Sequence, residues 1–397
     1  MVRGIRWPHW AGVALLAGVS FFCGMQWGSR LFARSGPDAA PLGALPGVAL
    51  DAHGGAAQPM PLPGEFAPQA GMLLGCHELL AHTPGVFVDV VRALQGNLSV
   101  FALVCDEKRR RMGADLLKRS GLPDEAVHWL VLPLNSVWVR DYGPLFLRGG
   151  DGSVVVADCE YGWLVDKDHR GRPWDDDAPT LLAQLMGLPV ERVPLYVQAG
   201  NLLSNGDGLL VSTHRLAWSN AMRGYDRRRV GQLLAHHLGG RQWVSLEPLL
   251  DEKTFHVDTF LTFVAPDVAV VGTYLASQNA ADAVVMDDAA AHLAGLETSR
   301  GPMQVHRIAL PTARRGMWRS YTHVLFANRL LLVPTFRDVE PAMNRSALAL
   351  YARLLPGWRI VGIPCDGLAA NGGSLHCISR NIPAFASVEA LRRKARR

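Results

Sequence analysis

The chain has no CxxC pair and no Cys/His spacing suited to zinc among its six cysteines, Cys23, Cys76, Cys105, Cys159, Cys365 and Cys377. That argues against a metal site, and their wide scatter does not resemble a disulfide framework. No GxGxxG opens a helix after a first strand, so a dinucleotide fold has little support. Strand-rich units recur at irregular intervals without detectable sequence repetition. Charge is sparse, 19% of residues against 49% hydrophobic, so 397 residues can bury a full core, and only the first segments read otherwise. Part of the net charge of +5 sits in the end segment 391–397, at Arg392, Arg393, Lys394, Arg396 and Arg397. No aromatic-interleaved basic face occurs elsewhere. The segment therefore reads as a solvated, frayed basic tail, and nucleic acid is not an expected partner.

The N-terminal segment 1–34 holds the one long uncharged run. Arg3 and Arg6 precede WAGVALLAGVSFFCGMQW, Trp10 to Trp27, which at roughly 1.5 Å per residue is just long enough to cross a bilayer, with tryptophans suited to both interfaces. No small-x-small cleavage site follows closely, and Phe22 before Cys23 fits a lipoprotein site poorly. A membrane anchor with an extracytoplasmic domain is expected, and secretion after signal cleavage is the alternative. Residues 35–63, rich in Pro, Gly and Ala and without periodicity, read as a linker.

From residue 64 to about 390 short apolar runs alternate with amphipathic stretches. Residues 86–95, 112–121 and 227–238 predict helices, and 98–105, 152–159, 208–213, 268–272, 329–336 and 358–364 predict strands. This is an α/β domain whose topology periodicity alone leaves open.

Four segments carry polar and reactive residues of the kind a rigid scaffold presents on loops: NSVWVRDYGP (135–144), QAGN (198–201), FHVDTF (255–260) and NGGSLHCIS (371–379). Each also has an ordinary structural reading. A lone cysteine such as Cys377 is commonly a buried small hydrophobe. His256 and Asp258, two apart, face the same way if their segment is a strand, and are then a surface pair or a cleft pair. Asp141 has Arg140 beside it as a structural partner, with Trp138 and Tyr142 available to wall a pocket. Jointly, a thiol, an imidazole and two carboxylates suit attack on a planar cation, because carboxylates pair bidentately with guanidinium.

With GEFAPQAG (64–71), WVRDYGP, Gly200-Asn201, HVD at 256–258, YTHVLFANRLLLVP (321–334) and GGSLHC (372–377), these segments resemble the agmatine deiminase and bacterial peptidylarginine deiminase family. The resemblance covers about Gly64 to Pro383. It implies the pentein fold, a five-bladed pseudo-symmetric α/β propeller, and hydrolysis of a guanidinium group without metal or cofactor. It makes Cys377 the nucleophile, His256 the general acid/base, and Asp141 and Asp258 the carboxylates that hold the substrate. Trp138, Arg140, Asn201 and Gly373 join the expected substrate-binding set.

Four further members of that set come from departures or branch features. Gln198 stands where agmatine deiminases carry an acid, which removes a partner for a doubly cationic substrate. HRGRPWDDD places Arg170 and Arg172 where the peptidylarginine branch grips the C-terminal carboxylate of a peptide, although the adjacent aspartates offer a self-neutralised loop as the plainer reading. His323 replaces the family's usual asparagine, bearing on the guanidinium contact or the pH dependence. His376, adjacent to Cys377 and on the opposite face of a strand, reads as structural. The expected activity is peptidyl-arginine deimination, against agmatine or free-arginine deimination and a silent guanidinium-binding protein; a Cys377–His256 peptidase is the weakest alternative, since it leaves the paired carboxylates without a role.

Overall fold

Two consecutive residues with positive φ, Asn328 (44°) and Arg329 (66°), join Leu325–Ala327 to Leu330–Thr335 in a two-residue hairpin, where primed turn geometry matches the twist of the strands. Similar short hairpins recur through the chain. The computed structural model describes residues 45–49, 59–161, 172–250, 252–313 and 316–396. The apolar run Trp10–Trp27, most of the expected linker and Arg170 lie outside the described residues.

One unit repeats five times among them: a short strand, an antiparallel second strand, one or more helices, and a third strand parallel to the second. Leu145–Arg148 pairs with Val154–Glu160, and helix Pro173–Met186 leads to Val190–Tyr196. Leu203–Ser204 pairs with Leu209–Thr213, and Arg215–Ala221 with Arg227–Leu238 lead to Gln242–Leu246. Leu261–Ala265 pairs with Val268–Thr273, and Ala276–Ala294 leads to Gln304–Ala309. The hairpin of Leu325–Ala327 and Leu330–Thr335 is followed by Pro341–Leu354 and Arg359–Pro364.

The fifth unit closes the domain on itself. Ser379–Pro383 pairs with Gln69–Gly75, far back in the chain, and Ser99–Val104 and His128–Val131 extend that sheet in parallel through Pro84–Leu94 and Glu107–Arg119. Parallel crossovers with a helix packed on the sheet bury both faces of the central strands, which is why Ser99–Val104 and Leu330–Thr335 read as apolar runs. The helices dock by close contact: a side chain added at Gly113 would occupy the place of the Trp129 ring.

All nine predicted elements are present, with helix Arg227–Leu238 at the expected bounds. Two boundary expectations change. Part of the expected linker is a strand, Leu45–Ala49, antiparallel to Gln242–Leu246, and Met60 and Leu62 donate backbone hydrogen bonds to Arg148 and Leu238. The basic tail is not frayed: Glu389–Ala395 is a helix with Leu391 fully buried and Arg392 bonded to the Ser99 hydroxyl. Burial of Leu391, with Ala395 packed beside it on the same core, outweighs the solvation of the segment's charges. No described helix is long and apolar enough to cross a membrane.

Candidate active site

Each unit is headed by a loop immediately before its first short strand, and these five loops carry the polar residues. Asp141 lies in Val139–Tyr142, Gly200 in Ala199–Asn201, Asp258 in Val257–Thr259, His323 in 320–323 and Cys377 in the turn 375–378. They enclose a cavity of about 200 Å³. A larger groove of about 850 Å³, lined by Asp158, Glu160, His236 and His237, is separate and has no thiol.

Gly200 sits where the groups crowd most. A Cβ there would stand 2.6 Å from Asp141 Oδ1, 2.8 Å from His256 Nδ1 and 3.0 Å from Asp258 Oδ2. Its amide donates to Asp141 Oδ1 at 3.2 Å. Asn201 is scaffold: its Oδ1 accepts from the amides of Thr213 and Val257 and from the Thr213 hydroxyl, tying two loops together.

His256 Nε2 is 2.6 Å from Gln198 Oε1, and its Nδ1 is 3.6 Å from Asp141 Oδ1. Asp258 is shared by two imidazoles, with His376 Nδ1 at 2.6 Å from Oδ2 and His323 Nε2 at 3.3 Å from Oδ1. The last two atoms are both buried with no other hydrogen-bond partner. His323 Nδ1 faces Cys377 Sγ at 3.9 Å. His376 Nε2 continues to the Glu65 carboxylate at 3.0 Å, and Glu65 in turn takes Arg140 at 2.6 Å.

Charges follow from these contacts. Burial, with Asp258 beside it, pushes Asp141 up to about 7. Burial would raise Asp258 too, but His323 and His376 hold it well below the usual carboxylate range. Burial pushes the His256 imidazole down to about 3, so that ring is neutral near pH 7. For His323, Asp258 and Cys377 outweigh burial and hold it well above the usual range. Burial pushes the Cys377 thiol up against the pull of His323. Among the described residues neither Asp141 nor Asp258 has a lysine or arginine within ion-pair distance.

Of the expected site residues, Cys377, His256, Asp141, Asp258, Trp138, Arg172, Gln198, His323 and Gly373 line this one cavity. Arg140 does not: its guanidinium is buried behind the loop on Glu65, Asn381 and the His376 carbonyl. Asn201 does not either. Tyr142 is turned inward to the Ser136 carbonyl, and Tyr161 takes its place on the wall. HVD is not a strand: His256, entered through Phe255 at φ 56°, leads into a 3-10 turn, Val257–Thr259, and His376 is likewise in a turn. Gly373 leaves the space that the Trp138 indole fills.

Arg172 donates to the Tyr161 hydroxyl at 3.0 Å, while Asp175 is spent on the amides of Asn135 and Ser136 and Asp176 accepts from the Tyr161 amide. Sequence reasoning missed Arg215, Glu252 and Glu65. Arg215 is 8% exposed on the cavity wall with no carboxylate within ion-pair distance among the described residues; Glu252 accepts from the amide and hydroxyl of Thr254. GEFAPQAG contained the signal for Glu65, an acid in a segment already tied to the site by resemblance.

Donor atoms of Asp258, His323 and Cys377 lie within 4.8 Å of one another. His323 points one ring nitrogen at the carboxylate and the other at the sulfur, so one ion cannot use the ring and keep both contacts. The cluster reads as a proton path rather than a metal site.

The pattern of the Porphyromonas-type peptidyl-arginine deiminase family matches residues 62–383. A protein of Selenomonas ruminantium named "Putative agmatine deiminase" is 24% identical over 365 residues, 82% of this chain and 96% of that one. A relative of the same name from Shewanella frigidimarina is 26% identical over 63% of this chain and 74% of its own. Among solved structures, the agmatine deiminase of Enterococcus faecalis superposes with a TM-score of 0.71 at 21% identity, covering 84% of this chain and 99% of that one. A Porphyromonas gingivalis structure described as a "Putative Arginine Deiminase" gives 0.71 at 24% identity, covering 82% and 98%. The fold is the mixed α/β fold of these proteins.

Proposed function

Because the chain belongs to the Porphyromonas-type peptidyl-arginine deiminase family and is a guanidine-group deiminase, a hydrolase of C–N bonds, we propose that it converts the C-terminal arginine of peptides to citrulline and ammonia. One observation carries the reading: a buried carboxylate, Asp258, and a partly buried one, Asp141, flank the partly buried Cys377 thiol in one cavity, and among the described residues no lysine or arginine is paired to either. A planar substrate cation supplies the missing charge.

In this reading Asp141 and Asp258 hold the guanidinium N–H groups while Cys377 Sγ attacks the central carbon. The new S–C bond displaces one nitrogen, and the proton lost from sulfur leaves with it as ammonia. His256, neutral at rest, takes a proton from the water that attacks the thiouronium carbon. The S–C bond breaks, the ureido product forms, and sulfur regains a proton. The product is uncharged, so both carboxylate contacts weaken and release is favoured. The five repeated units are inferred to stand as blades around the loops that carry this chemistry.

Arg172 and Arg215 support the peptide assignment. Three cations, Arg172, Arg215 and Lys253, against one further acid, Glu252, on the wall of a small cavity favour a substrate with an anionic group beyond its guanidinium and disfavour agmatine, whose far end is a second cation. Gln198 in place of an acid points the same way. The names of the relatives support agmatine as the second reading. The discriminating experiment offers purified protein a C-terminal-arginine peptide, an internal-arginine peptide, free arginine and agmatine, with Cys377→Ser as control, and measures citrulline or ureido product and ammonia. Preference for the C-terminal-arginine peptide, lost on Arg172→Ala, is expected; preference for agmatine overturns the assignment. The catalytic domain is further proposed to work outside the cytoplasm, held at the membrane by the apolar run Trp10–Trp27.

A further inference from the structure

In the mechanism above the thiol proton needs an acceptor, and three histidines stand near Cys377. His256 is committed at Nε2 to Gln198 Oε1, 2.6 Å away, and its Nδ1 faces Asp141. His376 has Asp258 at Nδ1 and Glu65 at Nε2. His323 alone among them has a ring nitrogen on the sulfur: Nδ1 is 3.9 Å from Sγ, and Nε2 is 3.3 Å from Asp258 Oδ1. That order, thiol to imidazole to carboxylate, is the arrangement in which the carboxylate fixes the ring so that the far nitrogen takes the nucleophile's proton.

We propose that His323 is a catalytic residue of this chain, the base that accepts the Cys377 proton, with Asp258 both orienting it and holding substrate. The inference rests on the deiminase reading. As the S–H bond breaks, its electron pair forms the S–C bond and its proton rests on His323 Nδ1, until it is carried off with ammonia. The ring is well placed to do this. Its loop is pinned by the Thr322 hydroxyl on the Asp258 carbonyl at 2.7 Å and by the Tyr351 hydroxyl on the Tyr321 carbonyl at 2.8 Å, so the imidazole and its carboxylate move together.

The groups facing His323 are Asp258 and Cys377 in contact, His376 with its ring centre 6.0 Å away, and the charges of His256 and Glu252 further out. Asp258 and a thiolate favour the imidazolium; burial favours the neutral thiol. A substrate cation arriving between Asp141 and Asp258 adds positive charge beside the ring and drives off any proton beyond the one the sulfur and the ring share. Sharing Asp258 between substrate and His323 therefore couples guanidinium binding to formation of the thiolate.

The test uses iodoacetamide, which needs no guanidinium pocket. Alkylation rate of Cys377 and thiolate absorbance near 240 nm are measured against pH for the wild type, His323→Asn and His323→Gln, with melting temperatures to check folding. Loss of the neighbouring base should move the alkylation midpoint upward by about one unit or more and lower kcat for citrulline formation on the order of 100-fold. Folded variants with an unchanged midpoint and unchanged thiolate signal would overturn the proposal. If neither variant folds, the wild type decides: a thiolate–imidazolium pair gives an alkylation plateau between two pH steps, whereas a lone buried thiol gives a single step above the free-cysteine value of about 8.5. Absence of turnover on every guanidinium compound would sink the functional reading and leave the alkylation result to stand separately.

Discussion

Gly200 shows how little tolerance the site has at the scale of one residue. A methyl group there meets Asp141, His256 and Asp258 at once, so Gly200→Ala should lose turnover by about 100-fold or more while melting close to the wild type, read by citrulline assay and calorimetry. Asp141 has a stability signature as well. Its folded-state pKa of about 7 lies above the unfolded carboxylate value of about 3.9. The folded state therefore holds a proton the unfolded state has lost, and stability falls as pH rises between those values. Asp141→Asn should be inactive yet melt higher than the wild type at pH 8, with the gap shrinking toward pH 5; an equal gap at both pH values would contradict the burial of an ionised Asp141. Cys377, His256, Asp141 and Asp258 were legible because reactive residues cluster in short motifs. Arg140 was misplaced because a sequence does not reveal that a guanidinium beside a site faces away, onto Glu65.

At the scale of elements, strands and helices were legible from period and turn residues, but the loops that build the site were not. HVD fits a strand by alternation, and the turn it actually makes depends on Phe255 at positive φ and on Glu252 accepting from Thr254, neither of which follows from period. The segment of Glu65 acts as a brace: its carboxylate, held at about 2 by Arg140 and His376 despite burial, links the backs of two loops. Glu65→Ala leaves Arg140, 1% exposed, without its carboxylate and should cost roughly 3–5 kcal/mol in chemical denaturation at pH 7. Turnover should fall too, because His376 loses its hold while it orients Asp258. Full stability with full activity in that variant would rule out the brace.

Over the whole molecule, the repeated unit was invisible to sequence comparison because each copy keeps its pattern of strands and helix while its residues differ. Closure is the property no local reading supplies: Gln69–Gly75 finds Ser379–Pro383, and helix Glu389–Ala395 then seals the same sheet through Leu391. Removal of residues 388–397 should therefore lower the melting temperature by several degrees, where a frayed tail would leave it unchanged. Cell fractionation of the full chain is expected to leave the protein in the membrane fraction, and deletion of residues 1–34 to release it; a soluble full-length protein that keeps its N-terminus contradicts the anchor.

Turnover by this route requires a covalent bond between substrate carbon and the Cys377 sulfur. Acid quench during turnover of a C-terminal-arginine peptide, followed by peptide mapping by mass spectrometry, should show the Cys377 peptide carrying the substrate less ammonia, and no such adduct on Cys377→Ser. Citrulline formation that continues in Cys377→Ser, or turnover with no adduct on Cys377 at any quench time, would contradict it.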